Sequence, residues 1–226
     1  MANFRTHLSV AALAGVGLAV AGYHATMLTG PEALGIAGFI SLGGILPDID
    51  ADQSHTVKLV FAILAVTAVI VAVPLGAPHL ALPALMTLGG ACFLSVRYIA
   101  SALFRRLTLH RGVWHSLVAG ITCGLGVTVM SFHLFESSDH QAWLQGIALL
   151  VGFVIHLILD ECYSVNLASL RLKRSAGTAL KLIDVQAPVA SACMLLTAVC
   201  LWQWAPPWQA LSDIGYGVYV ALFPNG

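Results

Sequence analysis

The run from Trp143 to Leu159 contains no Asp, Glu, Lys or Arg, yet it carries His156 and runs straight into Asp160 and Glu161. A helix needs about 20 predominantly apolar residues to cross the hydrocarbon core of a bilayer, so such a run reads as a membrane span. Similar windows recur along the whole chain and divide it into about eight candidate segments. They are Leu8–Leu28, Pro31–Leu46, Val57–Leu75, Leu80–Phe104, Trp114–Phe135, Ala142–Cys162, Val185–Trp204 and Trp208–Phe223. The second is short and glycine-rich, as a tight or re-entrant helix would be. The last is weak enough to lie at the interface instead. Composition agrees, with 59% of the 226 residues hydrophobic and 9% charged, where a soluble domain carries about a quarter charged residues. The expected fold is an all-α, polytopic transmembrane helical bundle with about 7–8 membrane segments. No repeat, linker or low-complexity tract interrupts it. A single integral-membrane domain is expected over residues 1–226, with a core over about 1–165 and a divergent basic loop and last helices over 166–226.

Arg5 followed by an apolar run has the outline of a signal peptide, but the run continues to Leu28 and further spans follow, so an uncleaved first span is expected. Charge then orients the bundle. With the N-terminus in the cytoplasm and sides alternating, Arg5, Lys58, Arg97, Arg105, Arg106, Arg111, Arg171, Lys173, Arg174 and Lys181 all fall on the cytoplasmic side. The opposite loops hold Glu32, His79, Glu136, Asp139 and His140, with no Lys or Arg. This is the positive-inside pattern. Nucleic-acid binding is excluded, because formal net charge is zero and the basic residues sit in short loops without an aromatic platform. Membrane lipids are the expected surroundings. The five cysteines form no CxxC pair and give no disulfide framework.

The same orientation brings the polar oddities to one rim. His7 opens the first segment, Asp48 and Asp50 follow the second, His110 and His115 bracket the start of the fifth, and His156 and Asp160 end the sixth. On a helix His156 and Asp160 share a face. Asp48 and Asp50 follow a proline-containing stretch, and in an extended loop residues two apart point the same way, so both are expected to face one site. Histidine and carboxylate without thiolates suit a divalent ion: zinc first, with manganese, iron or magnesium as alternatives. Seven such residues exceed the needs of one ion, so one or two metals are expected. Arg111 is placed to bind a phosphate or developing negative charge, and Glu161 or Asp52 to act as general base. Asp52, Ser54 and His55 stand beside the ligands, whereas His24, His79, His133 and His140 read as interfacial residues. Leucines alternating with Arg171, Lys173, Arg174 and Lys181 over 164–184 suit a segment lying on the cytoplasmic membrane surface.

The stretches THLSVAALAG, GGILPDIDADQS, HRGVWHS and HLILDECYS together resemble the YdjM-like family, LexA-regulated, inner-membrane-associated metal-dependent hydrolases. The resemblance covers most of the first 165 residues. It implies a bacterial inner-membrane protein, multi-pass, with His7, Asp48, Asp50, His110, His115, His156 and Asp160 at the family's polar motif positions and Arg111 and Ser116 beside them. After Asp160 the chain departs from the family. Relatives often continue with threonine and a glycine-rich turn, and here it reads ECYSVNLASLRLKRS. The expected function is a membrane-bound metal-dependent hydrolase with a cytoplasm-facing site, acting on a phosphoester or lipid-like substrate. Two other classes share these residues: a metal-ion or proton transporter, and a non-catalytic membrane scaffold with a structural metal.

Overall fold

The computed structural model describes residues 3–50, 55–107, 113–166, 171–172 and 181–223. Among these residues the chain forms nine α-helices: α1 (Phe4–His24), α2 (Gly30–Gly43), α3 (His55–Gly76), α4 (Leu82–Leu94), α5 (Ser101–Leu107), α6 (Leu117–Leu134), α7 (Asp139–Ser164), α8 (Pro188–Trp204) and α9 (Trp208–Leu222). One two-residue antiparallel pair, Val165–Asn166 with Arg171–Leu172, follows α7. The remainder of the amphipathic 164–184 segment, up to Lys181, lies outside the described residues. Five helical stretches are long and apolar enough to cross a membrane: Phe4–His24, Thr56–Gly76, Leu82–Arg105, Leu117–Leu134 and Asp139–Tyr163. The pair α8 and α9 passes the same test only jointly, across a 93° bend, which brings the number to six at most.

Packing divides the chain into two compact units, Met1–Pro47 with Gly112–Gly226, and Asp48–Arg111. A 3₁₀ turn, Leu46–Asp50, carries the chain from one into the other.

In the first unit α7 is the central post. It packs against α1, α2, α6 and α9. Half of its most apolar window is buried, against 28% or less in the other four candidate spans. Apolar side chains alone do not bring helices together in lipid, where close backbone approach through small residues does. A Cβ on Gly43 would run into the Leu149 carbonyl, and one on Gly152 into the Ile40 carbonyl, so α2 and α7 cross almost backbone to backbone. A Cβ on Gly124 would lie 2.9 Å from the Gly146 carbonyl, which sets α6 against α7 in the same way. The helix starts are written into the sequence. Asn3 Oδ1 accepts from Thr6 N at 2.9 Å, Glu32 closes a capping box on Thr29, and Ser116 Oγ accepts from Ala119 N at 3.3 Å.

The second unit is simpler. Helices α3 and α4 pack on each other, and a π-helical turn, Ser95–Ala100, joins α4 to α5 and contacts α3. Val57, Val60, Phe61 and Ala65 form its buried stripe, with the Phe61 ring 5.4 Å from that of Phe104. Only 17% and 6% of the two spans here are buried, so most of their apolar surface faces outward.

Candidate metal centre

Four of the seven expected ligands meet inside the first unit. His7 comes from the start of α1, His115 from the turn before α6, and His156 and Asp160 from the C-terminal turns of α7. His7, His156 and Asp160 are almost fully buried, each 3% exposed or less, and the His115 side chain is 13% exposed. Asp160 is the hub. Its Oδ1 lies 3.2 Å from His7 Nε2, and its Oδ2 lies 3.7 Å from both His115 Nε2 and His156 Nε2. The rings of His7 and His156 stack at 3.7 Å between centroids, and His115 stands edge-on to His156 at 5.6 Å.

These separations decide between two explanations of the cluster. A separation of 3.7 Å is too long for a hydrogen bond. Four donors held about 2.0–2.2 Å from one tetrahedral ion stand about 3.3–3.6 Å from one another, and the three separations measured from the Asp160 carboxylate bracket that edge. One ligand atom each from His7, His156 and Asp160 already fits within a 4.8 Å span. Neither ring nitrogen of His7 makes a hydrogen bond among the described residues, although both are buried. A buried polar nitrogen without a hydrogen bond costs about 1–3 kcal/mol, and a cation at the centre would remove that cost for Nε2, the His7 nitrogen that faces Asp160. The residues present therefore fit a divalent metal.

The surrounding fold holds the donors in a ligating form. Gly44 caps α2, so its carbonyl is one of the groups that a helix end leaves without an intrahelical partner. His156 Nδ1 lies 2.8 Å from that carbonyl. A carbonyl only accepts, so Nδ1 carries the proton and the Nε2 lone pair is directed at the cluster, the arrangement that orients metal-bound histidines. A side chain at Gly44 would collide with Ala11 of α1. His115 is fixed through its neighbour. Ser116 Oγ donates to the Val113 carbonyl at 2.6 Å and caps α6, while Leu117 N and Val118 N donate to the carbonyls of Lys181 and Leu182. The 181–182 segment thus takes up helix-start donors that would otherwise be left open. Lys181 in turn pairs with the buried Asp184 at 3.2 Å.

Asp48, half-buried, opens the second unit. The Asp50 side chain, together with Asp52, His110 and Arg111, lies outside the described residues. The segment holding Asp48 and Asp50 is a 3₁₀ turn rather than an extended loop. Proline suits the first turn of a helix. The expectation of an extended loop at this stretch is therefore corrected. Glu161 is half-buried and follows Asp160 directly, which rotates it by about 100° around α7, off the face of His156 and Asp160. Two features escaped the sequence reading, the Gly44 carbonyl and the 181–184 strap. Only the first had a visible signal, in the Gly43-Gly44 pair before Pro47.

No protein-family model, curated protein or solved structure matches this chain.

Proposed function

We propose that the protein is an integral-membrane metal-dependent hydrolase whose metal centre is built on His7, His115, His156 and Asp160. The observation that carries the reading is the convergence of three imidazoles on one buried carboxylate at the spacing of a coordination sphere. Three nitrogens and one oxygen are a zinc set. When bound, the ion supplies Lewis acidity toward a phosphoryl or acyl oxygen and lowers the pKa of water beside it. The chain's own share is to hold and orient. Gly44 fixes the His156 tautomer, Asp160 balances the charge, and Phe153 and Leu157, flanking His156 on α7, are fully buried and help keep water out. The basic residues on the metal-bearing side support a cytoplasmic site in a bacterial inner membrane and a phosphoester or lipid-like substrate. Arg111, Glu161 and Asp52 remain the sequence's candidates for anion binding and proton transfer. A second ion would draw on Asp48, Asp50 and His110.

Metal content of detergent-purified protein tests this, together with hydrolysis of phosphomonoester, phosphodiester and lipid-ester substrates. About one zinc per chain is expected, lost with activity in His156→Ala and Asp160→Asn. Metal loss with no hydrolysis of any substrate class would point to the scaffold instead. Metal flux into liposomes that depends on His156 would point to transport.

A further inference from the structure

We infer that α9 does not cross the membrane. It lies flat across the end of the first unit remote from the metal centre, with its outer aromatic face in the headgroup boundary of the bilayer. The inference rests on the membrane reading and is independent of metal binding and hydrolysis.

Length and direction point the same way. Helix α9 has 15 residues, about 22 Å at 1.5 Å per residue, short of the roughly 30 Å hydrocarbon core. It leaves α8 at a 93° bend. Pro206 and Pro207 form the break, since neither can donate to a continuing helix.

Contacts at both ends of α9 fix its level. At its start, the Pro207 carbonyl accepts from Trp143 Nε1, in the second turn of α7, at 3.2 Å. Ten residues on, a Cβ at Gly217 would lie 3.3 Å from Cε of Met27, in the turn between α1 and α2. These two anchors stand at one height, because Gln141 in the first turn of α7 donates to Glu32 in the first turn of α2 at 2.7 Å. A helix running down the bundle would have carried Gly217 about 15 Å away from that level. Trp143 is itself about 20 Å along α7 from His156, so α9 and the metal centre occupy opposite ends.

The faces of α9 fit the same placement. Ile214 is buried with Trp143, Leu125 and Ala198, and Ala210 and Leu211 pack beside it. Outward stand Trp208 at 62% exposure, Tyr216 at 70% and Phe223 at 58%, the aromatic side chains that favour the membrane–water boundary. Asp213 is also exposed, near the middle of the helix. A spanning α9 would hold that charge in hydrocarbon, whereas a flat one leaves it at the wet surface.

Labelling with a membrane-impermeant maleimide tests this on the full chain with its five cysteines replaced by serine. Single cysteines are placed at Ser137 in the α6–α7 turn, Val185 before α8, Ser212 on α9 and Phe223 at its C-terminal cap. In oriented vesicles, Ser137→Cys, Ser212→Cys and Phe223→Cys are expected to label from one side and Val185→Cys from the other. Labelling of Phe223→Cys from the Val185 side, or from neither side, overturns the inference. If Ser137→Cys and Val185→Cys label from the same side, α7 does not cross, and the inference falls with the membrane reading. Metal binding by the chain, measured separately, is untouched by any of these outcomes.

Discussion

The two ends of α7 bury polar groups in opposite ways. At the N-terminal end donors meet acceptors. Gln141 donates to Glu32, Ser131 Oγ donates to the side-chain carbonyl of Gln145, Trp143 donates to the Pro207 carbonyl, and His133 Nε2 lies 2.8 Å from the Trp204 carbonyl. At the C-terminal end three imidazoles crowd one carboxylate at distances of 3.2–3.7 Å, and the buried nitrogens of His7 make no hydrogen bond among the described residues. Ser131 is buried and Glu32, Gln141 and Gln145 are half-buried at one end, and His7, His156 and Asp160 are buried at the other, so burial does not itself indicate function. What separates them is complementarity. A donor–acceptor network is complete as it stands and acts as structural glue between helices, while three imidazoles gathered on one carboxylate form a donor set that could hold a cation.

The largest expected effect tests that difference directly. Asp160→Asn and His156→Ala should weaken zinc affinity by more than about 100-fold, beyond the 10–100-fold typical of partners that only orient a ligand. Gln141→Ala at the other end should leave affinity unchanged. Competition titration with a chromogenic chelator measures both, and equal losses at the two ends would erase the distinction. Next in size is Gly152→Ala. The new methyl meets the Ile40 carbonyl, so α2 must move, at about 1–3 kcal/mol of stability. The same shift displaces Gly44 from His156. A lower melting temperature is therefore expected together with weaker zinc binding, although no ligand has changed.

The comparison also explains what could be read from the sequence. Apolar run length pointed to an all-α chain with several long apolar helices, five or six of which could cross a membrane among the described residues, and α7 was placed to within a few residues, because hydropathy reports span length directly. His156 and Asp160 were legible from their four-residue spacing, and His7 and His115 from their positions at helix starts on the basic side. The partner of His156 was not legible, because a backbone carbonyl leaves no side-chain signature. Nor was the glycine contact of Gly43 with Leu149, which depends on which helices are neighbours. The state of the PDID stretch was misjudged for a local reason, since Pro47 starts a 3₁₀ turn there as readily as it ends a helix.

At the satisfied end, single and double substitutions should differ in a way the metal end cannot imitate. Ser131→Ala leaves the Gln145 carbonyl oxygen without its donor, which costs about 1–3 kcal/mol. Removing both groups in Ser131→Ala with Gln145→Leu should recover most of that, because no polar atom is then stranded. Denaturation of the three variants in detergent measures the recovery. Additive losses would mean that the two groups do not act as a pair.

The smallest effect is a pH dependence at the same end. The Thr29 hydroxyl and backbone N–H, with help from Gln141, hold the Glu32 carboxyl below its ordinary value of 4.5. A lowered folded-state pKa means that the unfolded chain binds the proton first as acid is added. The stabilisation from Glu32 is therefore fully present above pH 4.5 and is lost as pH falls through the lowered value. Glu32→Gln keeps the side chain's length and removes the titration, so it should flatten this part of the stability profile while leaving neutral-pH zinc affinity unchanged. Melting curves between pH 3 and pH 6 test the sign. If the wild-type chain lost no more stability than Glu32→Gln over that range, the capping box would contribute nothing to holding α2 in place, and the donor–acceptor network would reduce to its contacts at Gln145, Trp143 and His133.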